Sequence, residues 1–312
     1  MSSTAALSLR HYLAYALLCA IWGSTWMAIR VVVLEVPPLW AAAVRFVIAA
    51  IILAALAALQ RASLPKSVKQ WRDITILGVT IMAIPFGLLF WAEQYVSSSL
   101  TALLYTSSPL VVSMLTPLVT GRKVPRSAVF SMVIAAGGIG VLFQSQLSAS
   151  PRAMIGGAAI LLAVTTSAWS ALFAKKNTLD VSPVVSACLQ LIIGAVLLFA
   201  GSAVLESGQG LSWSAKVTAA LLFLAVFGSA VAFATYYWLL RKMHPYQLST
   251  ISLVVPLVAI AEGAILLQEP VPITMLIAAI VVLGAVGMVL RAQNDEPVGL
   301  KLGSEPWDGD NA

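Results

Sequence analysis

Charge is scarce in this chain. Asp, Glu, Lys and Arg make up 10% of the 312 residues, against about a quarter in an ordinary soluble domain. With 60% hydrophobic residues and a mean hydropathy of +0.97, folding in water would leave more apolar surface than one core can hide. Soluble enzymes and disordered chains are thereby excluded. Histidine is nearly absent too: His11 and His244 are the only two, and both fall at the ends of apolar runs. No G-x-S-x-G or H-E-x-x-H occurs, so an intramembrane enzyme lacks both a nucleophile with its base and a metal cluster. Neither metal nor cofactor is expected. The two cysteines, Cys19 and Cys188, lie in apolar stretches without metal or redox spacing and read as small packing residues.

Long apolar runs are plentiful. A bilayer crossing takes about 20 apolar residues, and that criterion predicts helices near 12–33, 38–60, 73–92, 98–120, 126–145, 152–173, 182–205, 215–240, 246–267 and 271–291. The expected fold is thus an all-α integral membrane protein of ten transmembrane helices, with no room for an added soluble domain. Arg10 before the first run resembles the start of a signal peptide, but the run is long enough to stay as an uncleaved helix. The net charge of +6 comes from bases in loops, so nucleic acid is not an expected partner. Of the 18 Lys and Arg, Arg30, Arg152 and Lys216 fall on one side and Arg45 inside a span, leaving fourteen on the other. Cytoplasmic loops retain bases, so both termini are expected in the cytoplasm, with a polar mobile tail over 293–312.

The chain also repeats itself. A shift of 145 sets Arg30 on Lys175, Glu35 on Asp180, Pro38 on Pro183 and Arg45 on Gln190. A shift of 147 sets Phe86 on Phe233, Trp91 on Trp238, Pro109 on Pro256, Pro125 on Pro272, Gly137 on Gly284 and Gly140 on Gly287. Two repeats are expected, 1–148 and 149–292, each of five spans. Five is odd, so the second copy enters the membrane upside down. Inverted repeats can rock between outward-open and inward-open states of similar energy.

Candidate residues follow from polarity and from breaks. Pro109 and Pro256 each remove a helical donor at matching positions and read as hinges or as plain kinks. Phe86 and Phe90 share a helical face, as do Phe233 and Tyr237. With Trp22, Trp91, Tyr105 and Trp169 they form the candidate wall of a substrate cavity, the bland reading for any one of them being packing. Trp40, Trp71 and Trp213 fit the interface belt. Ser24, Ser107, Ser108 and Ser252 are candidate polar contacts, although such hydroxyls often bond their own preceding turn. Among charges at membrane depth, Arg45 lies about 10 Å below the outer surface. A pair with Glu93 or Glu262 is read as an outer gate, as a contact for the ends of the substrate, or as a static structural bridge, with Gln190 as the inner counterpart. The midplane holds no carboxylate or histidine, so a proton relay there is not expected. Gly137, Gly138, Gly140, Gly284 and Gly287 give helices five and ten small faces, for a mutual contact or, less favoured, a homodimer. The other eight helices are left to enclose the path.

Several stretches carry a family resemblance: Ile21-Trp22-Gly23-Ser24, Ala102 through Pro117, Arg122-Lys123-Val124-Pro125, Gly137-Gly138-Ile139-Gly140, Glu269-Pro270-Val271-Pro272 and Gly284 to Gly287. Over nearly all of 10–292 the chain resembles EamA-type members of the drug/metabolite transporter superfamily. It departs from them at Thr120-Gly121-Arg122, where the family often has a Gly-Glu pair. That acid appears only in the second half, as Glu269. The resemblance implies a secondary transporter in a bacterial-type inner membrane, most like exporters of aromatic and other neutral amino acids. Partners would then be the small-molecule substrate and the lipid bilayer. Export of another metabolite or drug is the alternative, and a channel the weaker one.

Overall fold

A computed structural model describes residues 9–120, 126–147, 150–176, 181–240 and 251–295. The basic turn at 121–125, the segment 241–250 and the tail from 296 lie outside the described residues. Every regular element among those described is helical, as lipid requires of an open chain, because a helix satisfies its own backbone polar groups.

α1 (Leu9–Val33) and α2 (Pro38–Leu59) are unbroken. Pro38 opens α2 where its missing N–H costs nothing. The Glu206 carboxylate accepts hydrogen bonds from Leu39 N at 2.8 Å and Trp40 N at 3.1 Å, capping α2 from the far end of another helix. α3 (Val68–Leu77) starts five residues before the expected 73, because Ser67 and Gln70 form a capping box. It passes through a π-helical segment, Gly78–Ala83, into α4 (Ile84–Ala92). The expected single helix at 98–120 is two pieces, α5 (Ser98–Tyr105) and α6 (Ser108–Thr120), since Pro109 cannot donate back into the preceding turn.

α7 (Arg126–Leu147), α8 (Pro151–Lys176) and α9 (Pro183–Leu205) follow. α10 (Ala215–Ala225) meets α11 (Ala232–Leu240) through a second π segment, Val226–Val231. α12 (Ile251–Leu266) and α13 (Ile273–Asp295) close the described chain. Pro256 sits inside a continuous α12, so the Pro109 break has no partner at the Pro256 position. The matching irregularities are instead the two π segments. Among the described residues six helices are long and apolar enough to cross a membrane, and four shorter apolar helices accompany them.

Lipid offers little hydrophobic drive between helices, so small residues that allow close packing hold the bundle. α2 lies along α9, with Ala41, Ala42, Ala49 and Ala50 meeting Cys188 and Ala195. A Cβ on Gly194 would stand 2.8 Å from Met82 Cβ and 3.2 Å from the Phe46 ring. Cys19 and Cys188 are both free and buried, as their apolar surroundings imply. α7 pairs with α13, and Gly138 makes the close approach, 3.0 Å from Val281 Cγ1 for an added Cβ. The contact expected between these two helices is therefore present, although Gly137, Gly140 and Gly284 face open space.

Candidate functional site

Between the other helices lies a cavity of about 850 Å³, within the range of small-molecule sites. Its walls come from α1 to α6, α8, α9, α11 and α12 with both π segments, and none from α7, α10 or α13. The eight expected spans thus surround it, with the small-faced pair left outside. Six rings contribute, Trp22, Trp26, Phe46, Phe86, Tyr105 and Tyr236. The lining reaches Leu56, Ala174 and Pro183, near the helix ends that join the basic loops. At the opposite end, past Arg45, Phe86 and Leu89, the wall closes into a buried cluster of Ile29, Val32, Phe46 and Phe90.

Polar groups in the wall are few and mostly satisfied locally. Thr25 Oγ1 donates to Trp22 O at 2.6 Å, Thr106 Oγ1 to Ala102 O at 2.9 Å and Ser229 Oγ to Leu224 O at 3.0 Å. The last bond spans five residues and takes up a carbonyl that the π segment displaces. Thr80, in the first π segment, donates to Ile76 O at 2.8 Å and accepts from Ser170 Oγ at 2.7 Å, tying that segment to α8. Tyr105 OH meets Ser167 Oγ at 3.1 Å, and Gln190 Nε2 donates to Ser186 Oγ at 2.9 Å. Arg45 differs. It is 5% exposed, its Cζ stands 5.2 Å from the Phe86 ring centroid, and its Nε has no hydrogen-bond partner. Trp26 Nε1 is likewise buried and unpartnered.

Carboxylates gather at the closed end instead. Glu269 accepts from Ser98 N and Oγ at 2.9 Å each, from Ser99 Oγ at 2.9 Å and from Ser99 N at 3.3 Å, capping α5 across the bundle. Ser24 Oγ stands 2.7 Å from Glu262 Oε1. Arg30 donates to the Glu93 carbonyl oxygen, while both Glu93 carboxylate oxygens are buried without a hydrogen-bond partner. Among the described residues the only ion pair joins Arg72 to Asp73. The expected bridge from Arg45 to Glu93 or Glu262 is therefore not formed. Ser24 occupies Glu262, and Arg45 faces the cavity rather than either acid.

Trp22, Phe86, Tyr105, Ser108, Ser252, Arg45, Gln190 and Pro109 all line the cavity. Phe90 does not: it is fully buried among α2, α9 and α10, because one turn beyond Phe86 the cavity has already closed. Trp91 packs on Tyr95 at 5.3 Å, Trp169 stacks on Phe173 at 5.2 Å on the outer face, and Ser107 is buried, bonding to Leu104 O at 2.7 Å. Ser24 contacts Glu262 and does not line the cavity. Pro256 is buried within α12. Phe233 and Tyr237 belong to α11, but their side chains lie outside the described residues. Phe46 and Tyr236 carry no signal in the sequence of lining the cavity. Trp26 had a visible signal, lying four residues after Trp22 on the same face.

Sequence comparison gives the class. The model of the EamA-like transporter family matches residues 9–144 and 154–291. The chain belongs to that family and is a membrane transporter. Protein PagO of Salmonella typhimurium is 27% identical over 79% of this chain and 82% of its own length. YedA of Escherichia coli K12, named an uncharacterized inner membrane transporter, is 30% identical over 78% of each chain. YoaV of Bacillus subtilis, named an uncharacterized transporter, is 24% identical over 84% of this chain and 90% of its own. A solved crystal structure superposes with a TM-score of 0.63 at 17% identity, covering 92% of this chain and 99% of that one. It shares the fold.

Proposed function

We propose that the protein exports small amino-acid-like metabolites, aromatic and other neutral amino acids above all, across an inner membrane by alternating access. The observation that carries this reading is the ring-lined cavity, closed at one end and reaching the helix ends that bear the basic loops. With bases on the cytoplasmic side, that cavity is inward-facing and ready to load cargo from the cell interior. Ten spans arranged as two inverted halves, 1–148 and 149–292, supply the motion. The contact pattern supports the inversion. α1 packs on α10, α11 and α12, while α8, its counterpart in the second half, packs on α4, α5 and α6. α2 and α9 pack on each other, as do α7 and α13, so exchanging the halves returns these principal contacts.

Both π segments interrupt the third helix of their half, where a register change costs least. A channel fits less well, since the end beyond Arg45 is packed shut rather than lined by polar groups. Export of another apolar metabolite or drug is the second reading, favoured by the scarcity of polar groups in the wall. The experiment is counterflow in proteoliposomes. Preloaded unlabelled phenylalanine or tryptophan should drive saturable uptake of the labelled form, and alanine at Trp22 and Phe86 together should reduce it about tenfold or more. Absence of any amino-acid flux from folded protein overturns the substrate assignment, and non-saturable flux overturns the carrier.

A further inference from the structure

We infer that the cavity holds its cargo by an anionic head, with the Arg45 guanidinium and the Trp26 indole N–H as the anchor, and offers no counter-charge to an ammonium group. The preferred occupant is then an apolar or aromatic carboxylate whose amine is dispensable. This rests on the reading of the cavity as the cargo site and narrows it.

Two independent features of the wall point this way. The first is charge: among the described residues the lining contains one guanidinium and no Asp, Glu or Lys. An arginine keeps its proton at any physiological pH, and a desolvated cation needs a counter-charge or hydrogen-bond acceptors. Glu93 acts on Arg45 only through space, without an ion-pair contact, and does not line the cavity. The Phe86 face beside Arg45 attracts a cation more weakly than a carboxylate in direct contact does.

The second feature is the balance of donors and acceptors. Thr25, Thr106 and Ser229 already donate to carbonyls of their own helices. The buried polar atoms of the wall left without partners are Arg45 Nε and Trp26 Nε1, and both can only donate. What is missing is an acceptor, and a carboxylate supplies one with the compensating charge. An ammonium placed there would meet a fixed cation of like sign, with ring faces and neutral oxygens such as that of Gln190 but no counter-charge in return. The six rings around the anchor accommodate the apolar body of such an acid.

The test uses the full-length protein in nanodiscs and three ligands of one shape: 3-phenylpropionate, phenylalanine and phenethylamine, with binding read by calorimetry. The acid and the amino acid should bind within about tenfold of each other, and the amine at least about tenfold more weakly. Arg45→Gln should remove that preference for the acid, and Trp26→Phe should reduce it while leaving the melting temperature unchanged. The ligand series on the unaltered protein needs no variant, so a misfolded Arg45→Gln does not block the decision. Phenethylamine binding as tightly as 3-phenylpropionate overturns the anchor while leaving an amino-acid carrier standing. So does an acid affinity unchanged by Arg45→Gln. Failure of all three to bind overturns the anchor and the substrate assignment together.

Discussion

At the scale of single residues, three carboxylates near the closed end differ in what they hold. Glu269 accepts four hydrogen bonds from the start of α5, and Glu206 accepts two from the start of α2. Glu93 accepts none at its carboxylate. A buried ion that caps a helix end stabilises, because it meets orphan donors and the positive end of the dipole. A buried ion without partners costs desolvation and recovers little. Opposite responses to the same change follow. Glu269→Gln should lower stability by about 1–3 kcal/mol, read as a drop in melting temperature in detergent. Glu93→Gln should leave the melting temperature equal or higher, since the Arg30 bond goes to the Glu93 backbone oxygen and survives the exchange. A loss from Glu93→Gln equal to that from Glu269→Gln would show that Glu93 has a partner. Glycines divide in the same way. A Cβ on Gly23 would run into the Val258 side chain, so Gly23→Ala should destabilise the α1–α12 contact by about 1–3 kcal/mol. Gly140, with nothing within 4 Å, should accept alanine without loss.

Among elements, the third helix of each half bends through a π segment, and each solves the backbone problem with a hydroxyl on or beside the wall, Thr80 in one and Ser229 in the other. Pro85 follows the first segment at the start of α4. Its ring removes the donor that would reach back to Ile81, which favours the wider turn. Pro85→Ala restores that donor and should straighten α3 into α4. The expected result is slower counterflow with ligand affinity retained, measured side by side in proteoliposomes and nanodiscs. Unchanged turnover would remove this segment from the moving parts. The existence of these elements was legible in the sequence, because a span must stay apolar for about 20 residues. Their irregularities were only half legible. Pro109 announced the break before α6, but Pro256, its counterpart in the alignment, is absorbed within α12. Neither π segment carries a proline inside it. The cavity face was harder still. A helix that is apolar all round presents no polar stripe to separate lipid from cavity, so the shared face of Phe86 and Phe90 misled at Phe90, where packing had already closed the space.

For the molecule as a whole, the remaining question is which end of the cavity faces the cell interior, and it has a direct answer in labelling. Basic residues cluster at the ends that join α2 to α3, α6 to α7 and α8 to α9, whereas the connection from α9 to α10 is Gly- and Ser-rich and nearly uncharged. Retention of Lys and Arg during insertion then predicts 60–67 inside and 206–214 outside. The two native cysteines are buried, so reaction with a bulky impermeant maleimide should have a low background. Gln209 and Ser63 are both exposed, and neither makes a contact that the fold depends on. Gln209→Cys should react in intact cells, and Ser63→Cys only after the membrane is opened. The reverse pattern would turn the cavity mouth outward and make the protein an importer in its resting state. Reaction of both from one side would place these two loops on one face, which an odd number of spans between them forbids. With Ser63 inside and Gln209 outside, the cavity loads from the cytoplasm, and the capped ends of α2 and α5 are what must separate to release cargo.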